Sequence, residues 1–149
     1  MIRLQRAARD DLPDFCAMAA QPHAQRFVGQ QPLEELNLWF DNPCVAFLRI
    51  ENGDATLLGY FILLDEPDND SVEFARIVID SRYPGTGQAA IGLMEGYCRD
   101  TLSAGRIWLD VWEDNPRAMH VYEKLGYRPF KTETRDGGRQ LHFYEKSLR

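Results

Sequence analysis

Cysteine and histidine are scarce in this chain of 149 residues, which has three of each. The cysteines are Cys16, Cys44 and Cys98, and the histidines are His23, His120 and His142. None of them forms a CxxC pair or a Cys/His cluster, so the sequence predicts neither a disulfide framework nor a metal site. Isolated cysteines of this kind are typical of a reducing compartment, which favours the cytoplasm.

Basic residues are outnumbered, and long apolar runs are missing. Seventeen Lys and Arg against 23 Asp and Glu give a formal net charge of −6, which argues against nucleic-acid binding because that function needs a basic face. No apolar run reaches the ~18 residues that cross a bilayer, and residues 1–6 lack the apolar core of a signal peptide, so we expect no membrane partner. An acidic chain suits a cationic partner such as an amine, whereas an anionic ligand would need local groups to hold it.

Hydrophobic periodicity and turn residues predict a first half built mainly of strands and a second half in which strands alternate with helices. The predicted strands are residues 2–6, 45–51, 56–64, 71–80, 106–112, 127–134 and 139–146. One predicted helix starts at Asp10, and three others cover residues 32–41, 88–102 and 116–125. A polar connection is predicted over Gln21–Gln31. This order predicts an α+β fold with a mixed sheet, antiparallel N-terminal strands and about four helices, in a single domain over residues 1–149.

The loop at residues 81–88, between a predicted strand and a predicted helix, is suited to binding phosphate. Gly85 and Gly87 stand one residue apart, and glycines at such a junction let several backbone N–H groups turn inward. The helix N-terminus adds unpaired donors and a partial positive charge, and Arg82 adds a full charge. A plain glycine turn is the alternative. A P-loop is excluded because Gln and Ala follow the last glycine where Lys and Ser/Thr are required.

Residues 85–90 also match the dinucleotide fingerprint GxGxxG/A, and Asp110 follows about twenty residues later. In dinucleotide-binding folds the glycines close the strand itself, whereas residues 81–84 intervene here. Only one more strand–helix pair follows, and three strands with hairpin-like joins precede the loop. The pattern therefore disfavours a nucleotide-dependent oxidoreductase.

Residues 115–127 form a second informative segment, directly after a predicted strand. Asn115 is a preferred helix N-cap, and Pro116 suits the first helical position. Tyr122 falls on the apolar face of the helix, and Gly126 can adopt the left-handed conformation that ends it. A buried phenol needs a hydrogen-bond partner or serves a function, so Tyr122 is either a core residue or a catalytic one.

Together the two segments closely resemble the GNAT superfamily of acetyl-CoA-dependent N-acetyltransferases. The residues that match its phosphate loop are Arg82, Tyr83, Pro84, Gly85, Thr86 and Gly87, and those that match its second signature are Asn115, Ala118, Tyr122, Gly126 and Tyr127. The resemblance is strong over residues 71–130. It implies a GNAT-like fold whose two central parallel strands splay apart, and transfer of an acetyl group from acetyl-CoA to a primary amine within a ternary complex.

The resemblance also implies where acetyl-CoA binds. The pyrophosphate would rest on four backbone N–H groups, those of Gly85, Thr86, Gly87 and Gln88. The pantetheine arm would pair like an added strand with the backbone of Ile77, Val78 and Ile79. Asn115 would help to hold that arm. Arg82 is the only cation in the loop, and Arg117 at the next helix start would assist it.

The implied chemistry needs an acid and a base. Tyr122 stands at the position of the family's usual general acid and would protonate the departing thiolate. An amine with a pKa near ~10.4 is almost entirely protonated at neutral pH, so a carboxylate must accept a proton directly or through water. Asp110 and Glu73 compete for this role, and we favour Asp110.

The plain alternative for either carboxylate is an ion pair with a nearby arginine, Arg76 or Arg106. Glu73 would share the side of its strand with Ile77 and Ile79 unless a bulge intervenes.

The acceptor and the acyl chain length stay open at the level of sequence, because a small-molecule amine and a protein or peptide amine both suit the chemistry. An alternative from a different class is a non-catalytic domain that binds acyl-CoA as a sensor or partner module. An intact Tyr122 with an available carboxylate argues against it. Members of this family often form homodimers, and the resemblance implies that option here.

Overall fold

The computed structural model of the chain describes residues 1–28 and 31–149. These residues contain seven strands: β1 Ile2–Arg6, β2 Val45–Asn52, β3 Leu57–Glu66, β4 Ser71–Ile79, β5 Arg106–Trp112, β6 Arg128–Thr134 and β7 Gln140–Ser147. They also contain five α-helices: α1 Leu12–Ala19, α2 Pro22–Val28, α3 Leu33–Phe40, α4 Gly87–Asp100 and α5 Pro116–Lys124. Every predicted strand and helix is confirmed to within a few residues at its ends.

Helix α2 corrects the prediction of a polar connection over Gln21–Gln31, of which residues 29 and 30 lie outside the described part of the chain. Pro22 occupies the first helical position, where no N–H donor is needed. Ala24 is buried and Phe27 and Val28 are half-buried, at the i, i+3, i+4 spacing of a helical apolar face. That stripe is narrow, so the mostly polar sequence resembled a loop.

The strands form one mixed sheet in the order β1-β2-β3-β4-β5-β7-β6. Neighbouring strands are antiparallel except β4 and β5, which are parallel. These two pair only at their beginnings, where residues 71–73 lie opposite residues 106–108. Beyond Glu73 the strands separate and leave a gap in the middle of the sheet, which confirms the predicted splay.

A β-bulge in β4 stands beside this gap. Phe74 pairs with Leu63 of β3, and Arg76 pairs with Ile62, so Ala75 has no partner in the ladder. One extra residue reverses the alternation of side chains between the two faces of a strand. Even-numbered residues of β4 therefore lie on one face of the sheet before the bulge and on the other face after it.

The bulge corrects the expected position of Glu73. Phe74, before the bulge, packs in the same apolar cluster as Ile77 and Ile79 after it, whereas Val78 belongs to the cluster on the other face. Because neighbouring residues of a strand alternate, Glu73 lies on the face opposite Ile77 and Ile79. A bulge intervenes, so the shared side that is expected without one does not hold.

Apolar clusters cover both faces of the sheet. Helix α4 buries Ala90, Ile91 and Met94 against one face, and α5 packs beside it. Helices α1, α2 and α3 cover the other face, where the Phe15 ring stacks on Tyr60 at 4.3 Å between centroids. Because β4 contributes to both clusters, the strand beside the gap is held from both sides.

No helix of residues 1–28 and 31–149 is both long enough and apolar enough to cross a membrane. The same residues bring no three His, Cys, Asp or Glu side chains together in a way that could hold a metal ion.

Candidate active site

Cavities on two sides of the gap between β4 and β5 meet at a shared wall. The first, here called the α4 cavity, has a volume of about 520 Å³ and lies at the N-terminus of α4. The second, the β4–β5 cavity, has a volume of about 310 Å³ and lies between the splayed strands and α2. The residues that line both are His23, Ile77, Ile79, Asn115, Ala118 and Tyr122. A ligand that extends from one cavity into the other would therefore pass Tyr122.

The start of α4 presents backbone N–H groups that have no partner among the described residues. Thr86 stands at the N-cap without a side-chain capping bond, and its hydroxyl instead donates to the Tyr83 carbonyl at 2.8 Å. The first hydrogen bond into the helix runs from the Ala90 N–H to the Thr86 oxygen at 3.1 Å. The N–H groups of residues 85–89 are left free at the positive end of a 14-residue helix. This arrangement fits a pyrophosphate.

Two arginines near this helix start have different surroundings. Arg82 lines neither cavity, and its guanidinium donates to both carboxylate oxygens of Asp80, at 3.2 and 2.9 Å. The Arg82 hydrogen bonds hold the pKa of the buried Asp80 carboxyl at about 2. Arg117, at the start of α5, lines the α4 cavity and forms no ion pair within the described chain. Among the described residues that line this cavity, Arg117 is thus the arginine whose charge has no ion pair.

The predicted caps of α5 are confirmed. The Asn115 side chain accepts a hydrogen bond from the Ala118 N–H at 3.3 Å. Gly126 has a φ of +97°, which glycine adopts without strain. The Tyr127 N–H then bonds to the Tyr122 carbonyl at 2.9 Å. These local contacts fix the orientation in which α5 presents Tyr122 to the gap.

The Tyr122 ring is held edge-on by two other rings, with centroids 5.8 Å from Phe74 and 5.9 Å from Tyr127. Its hydroxyl makes no hydrogen bond to residues 1–28 or 31–149, which leaves it available to a ligand. Burial, with a smaller contribution from the Asp110 carboxylate, raises the pKa of the Tyr122 phenol to about 12. The phenol therefore keeps its proton at neutral pH, as a general acid must.

A partly buried network of hydrogen bonds holds Tyr127, whose ring packs against the Tyr122 ring. The Tyr127 hydroxyl donates to Glu95 Oε2 at 2.8 Å, and Lys146 Nζ donates to Glu95 Oε1 at 3.0 Å. The same ammonium donates to the Leu125 carbonyl at 2.8 Å. This network joins α4, the end of α5 and β7, and its members are too far apart in sequence for a local pattern to reveal them.

The structure separates the two candidate bases. Asp110 lines the β4–β5 cavity with Tyr122, whereas Glu73 lines neither cavity. Asp110 is exposed to solvent. The neighbouring protein still desolvates its carboxyl enough to raise its pKa above the ordinary value, and the charge of Arg135 partly opposes this rise. Burial, followed by the charges of Asp110 and Glu66, raises the pKa of Glu73 to about 7.

Within residues 1–28 and 31–149, neither Asp110 nor Glu73 forms the alternative ion pair with an arginine. Arg106 pairs with Glu145 at 2.7 Å. Arg76 donates to the Val28 carbonyl at 3.1 Å and to the Gln31 side chain, and it is one of the residues that line the β4–β5 cavity. Both carboxylates are therefore free for other roles.

The Ile77–Ile79 backbone has no strand partner on its β5 side within the described residues, because β4 pairs with β5 only over residues 71–73. His23 of α2 reaches this edge, with Nε2 2.7 Å from the Ile79 carbonyl oxygen. Sequence reasoning treated His23 only as an isolated histidine, since nothing in the local pattern indicated that α2 packs against β4.

The chain matches the family model of the acetyltransferase (GNAT) domain over residues 2–128. It therefore belongs to the GNAT acetyltransferase family. The resemblance inferred from the two sequence segments is confirmed by this match.

Proteins that are similar to this chain in sequence are named as acetyltransferases. An uncharacterised N-acetyltransferase of Mycobacterium bovis is 35% identical over 83 residues, which cover 54% of this chain and 52% of that protein. A mycothiol acetyltransferase of Rhodococcus erythropolis is 33% identical over 99 residues, which cover 62% of this chain and 32% of that protein. The chain thus spans about half the length, or less, of the curated relatives it matches.

The fold is shared with solved acetyltransferases. The crystal structure of a spermidine N-acetyltransferase from Vibrio cholerae, in complex with CoA and spermine, superposes with a TM-score of 0.85. The match covers 99% of this chain and 95% of that one at 19% sequence identity. At this identity the likeness shows the fold, and the predicted GNAT-like architecture is confirmed.

Proposed function

We propose that the domain transfers the acetyl group of acetyl-CoA to a primary amine by direct attack within a ternary complex. The observation that supports this proposal is that Tyr122 lines both cavities and that its hydroxyl makes no hydrogen bond within residues 1–28 and 31–149. One cavity offers free backbone donors suited to a pyrophosphate, and the other contains the Asp110 carboxylate. Two substrates bound in these cavities would meet at a phenol that keeps its proton.

Acetyl-CoA would occupy the α4 cavity and extend into the gap. The N–H groups of residues 85–88 and the Arg117 guanidinium would hold its pyrophosphate, and Arg82 would stay at the edge of the loop against Asp80. The open edge of Ile77–Ile79 would pair with the pantetheine arm, and Asn115 would contact the same arm from α5. Every one of these groups except Arg82 and Val78 lines the α4 cavity or belongs to the free N-terminus of α4.

The acceptor amine would occupy the β4–β5 cavity. Asp110, directly or through water, takes a proton from the ammonium so that the nitrogen lone pair can attack the thioester carbonyl carbon. A carbon–nitrogen bond forms, the carbon–sulfur bond breaks, and Tyr122 gives its proton to the leaving thiolate. The nitrogen loses its second proton after the attack, and a proton returned through water restores the Tyr122 phenol. Glu73 lines neither cavity, so its part would be indirect.

The test is release of free CoA thiol from acetyl-CoA across a panel of primary amines. We expect Tyr122→Phe to lower kcat by about 10²–10⁴-fold, the usual contribution of a positioned general acid, while the Kd for CoA stays within about twofold. Tyr97→Phe is the matched control, because Tyr97 lies on α4 outside both cavities and its hydroxyl accepts a bond from Arg6 at 3.1 Å.

Equal turnover by wild type and Tyr122→Phe would contradict the assigned role of the phenol. Tight CoA binding without thiol release from any amine would contradict catalysis altogether and support an acyl-CoA-binding sensor or partner module instead.

A further inference from the structure

We propose that Arg76 binds a carboxylate of the acceptor, so that the acceptor is an amine that also carries a carboxylate, such as an amino acid. This inference rests on the proposed function and names the substrate class of the same site. Its basis is a half-buried arginine that lines the β4–β5 cavity and forms no ion pair with an acidic side chain of residues 1–28 and 31–149.

The bulge in β4 gives Arg76 its direction. Ala75 is the unpaired residue of the ladder, and Arg76 follows it directly on the face that carries Val78. Arg76 lines the β4–β5 cavity, as do Asp110 and Tyr122. A cation and a carboxylate thus line one cavity next to the phenol.

Arg76 differs from the other half-buried arginines because no acidic side chain of the described residues pairs with it. Three arginines of the described residues are half-buried: Arg49, Arg76 and Arg106. Arg49 pairs with Asp11 and Glu51, and Arg106 pairs with Glu145. Within the described part of the chain, the acceptors of Arg76 are both neutral, the Val28 carbonyl and the Gln31 amide oxygen. A partly desolvated charge without a counter-ion is unfavourable, which is the state that an anionic ligand relieves.

The remaining donors suit a carboxylate. A guanidinium has five N–H groups in a planar fork, and the contacts with Val28 and Gln31 use two of them. The free donors can engage both oxygens of a carboxylate. An ammonium near Asp110 and a carboxylate near Arg76 would match a zwitterion in charge at both ends. A polyamine would instead bring a second cation towards Arg76, where like charges repel.

The experiment compares matched acceptors. Amino acids are assayed beside the amines that lack only the carboxylate, and spermidine is included as a purely cationic amine; CoA thiol release is measured for wild type, Arg76→Gln and Arg76→Lys. We expect wild type to prefer the carboxylate-bearing member of at least one pair by about tenfold or more in kcat/KM. Arg76→Gln should lose that preference through a higher KM and leave the paired amine within about threefold, while Arg76→Lys keeps part of the preference.

Arg106→Gln is the control, because it removes a half-buried arginine that lies outside both cavities and should leave the preference unchanged. A wild-type preference for spermidine or for amines without the carboxylate would overturn the inference and leave the proposed function intact. Equal loss on both members of a pair in Arg76→Gln would also overturn it, since Arg76 would then only anchor the end of α2. Absence of thiol release with every amine would instead contradict the proposed function itself.

Discussion

At the scale of single residues, the two carboxylates of β4 and β5 differ in their surroundings rather than in their chemistry. Glu73 lies on the sheet face away from Ile77 and is half-buried, with its pKa raised to about 7 by burial and by the charges of Asp110 and Glu66. Asp110 keeps an open side towards the β4–β5 cavity. The cavity-lining carboxylate is thus the one placed to meet an amine.

The raised pKa of Glu73 predicts a pH-dependent stability. A carboxyl whose pKa is higher in the folded protein binds its proton more tightly when folded, so its stabilisation is complete below about pH 4.5 and is lost as the pH rises through 7. Glutamine does not ionise, so we expect Glu73→Gln to be more stable than wild type at about pH 8, with a much smaller difference at about pH 5. One pKa unit corresponds to about 1.4 kcal/mol; after solvent screening of a half-buried group, we expect about 1–2 kcal/mol at pH 8.

Differential scanning calorimetry at both pH values measures this difference as a shift in Tm. Glu34→Gln, at an exposed position of α3, is the matched control and should shift Tm equally at both pH values. A Tm of Glu73→Gln below that of wild type at the higher pH would contradict the raised pKa.

Residues defined by local chemistry could be predicted from the sequence. The Asn115 cap, the left-handed Gly126 and the free amides after Gly85 all follow from the few residues around each position. Arg76 and Glu95 could not be predicted as site residues, because their roles depend on contacts with Val28 and Lys146. Those contacts are set by the packing of elements that are distant in sequence.

At the scale of elements, the starts of α4 and α5 converge on the α4 cavity. The order of strands and helices was predictable from periodicity, whereas α2 and the bulge at Ala75 were not. Helix α2 has only a narrow apolar stripe, and a single extra residue in a ladder leaves no mark in the alternation of a strand that is apolar on both faces. Both elements affect the lining of the cavities, since α2 contributes His23 and the bulge sets the sheet face on which Arg76 lies.

This convergence predicts unequal contributions of two arginines to coenzyme binding. Arg117 lines the α4 cavity with its charge unpaired by the described chain, whereas the guanidinium of Arg82 is bonded to Asp80. We expect Arg117→Ala to weaken the Kd for CoA by about three- to tenfold, the effect of one partly exposed charged hydrogen bond, and Arg82→Ala by less than about twofold. Isothermal titration calorimetry measures both.

The salt dependence provides the control for this comparison. Raising the ionic strength should reduce the effect of Arg117→Ala, because an exposed ion pair is screened. A larger loss of affinity in Arg82→Ala than in Arg117→Ala would contradict the assignment and would mean that Arg82 leaves Asp80 when the coenzyme binds.

At the scale of the whole molecule, the candidate site lies where the sheet separates between β4 and β5. Four antiparallel strands on one side and three strands on the other are joined by the short parallel pairing of β4 and β5. The splay was implied by family resemblance and not by composition, since the sequence of β4 alone does not show where its pairing stops. A single domain over residues 1–149 and a homodimer stay predictions.

The most direct test of this account is a crystal structure of the protein grown with CoA. We expect the pyrophosphate on the N–H groups of residues 85–88, the pantetheine arm along Ile77–Ile79 and the sulfur within hydrogen-bond reach of the Tyr122 hydroxyl. A coenzyme bound outside the α4 cavity, or a sulfur far from Tyr122, would contradict the claim that the gap between β4 and β5 is the place where the two substrates meet.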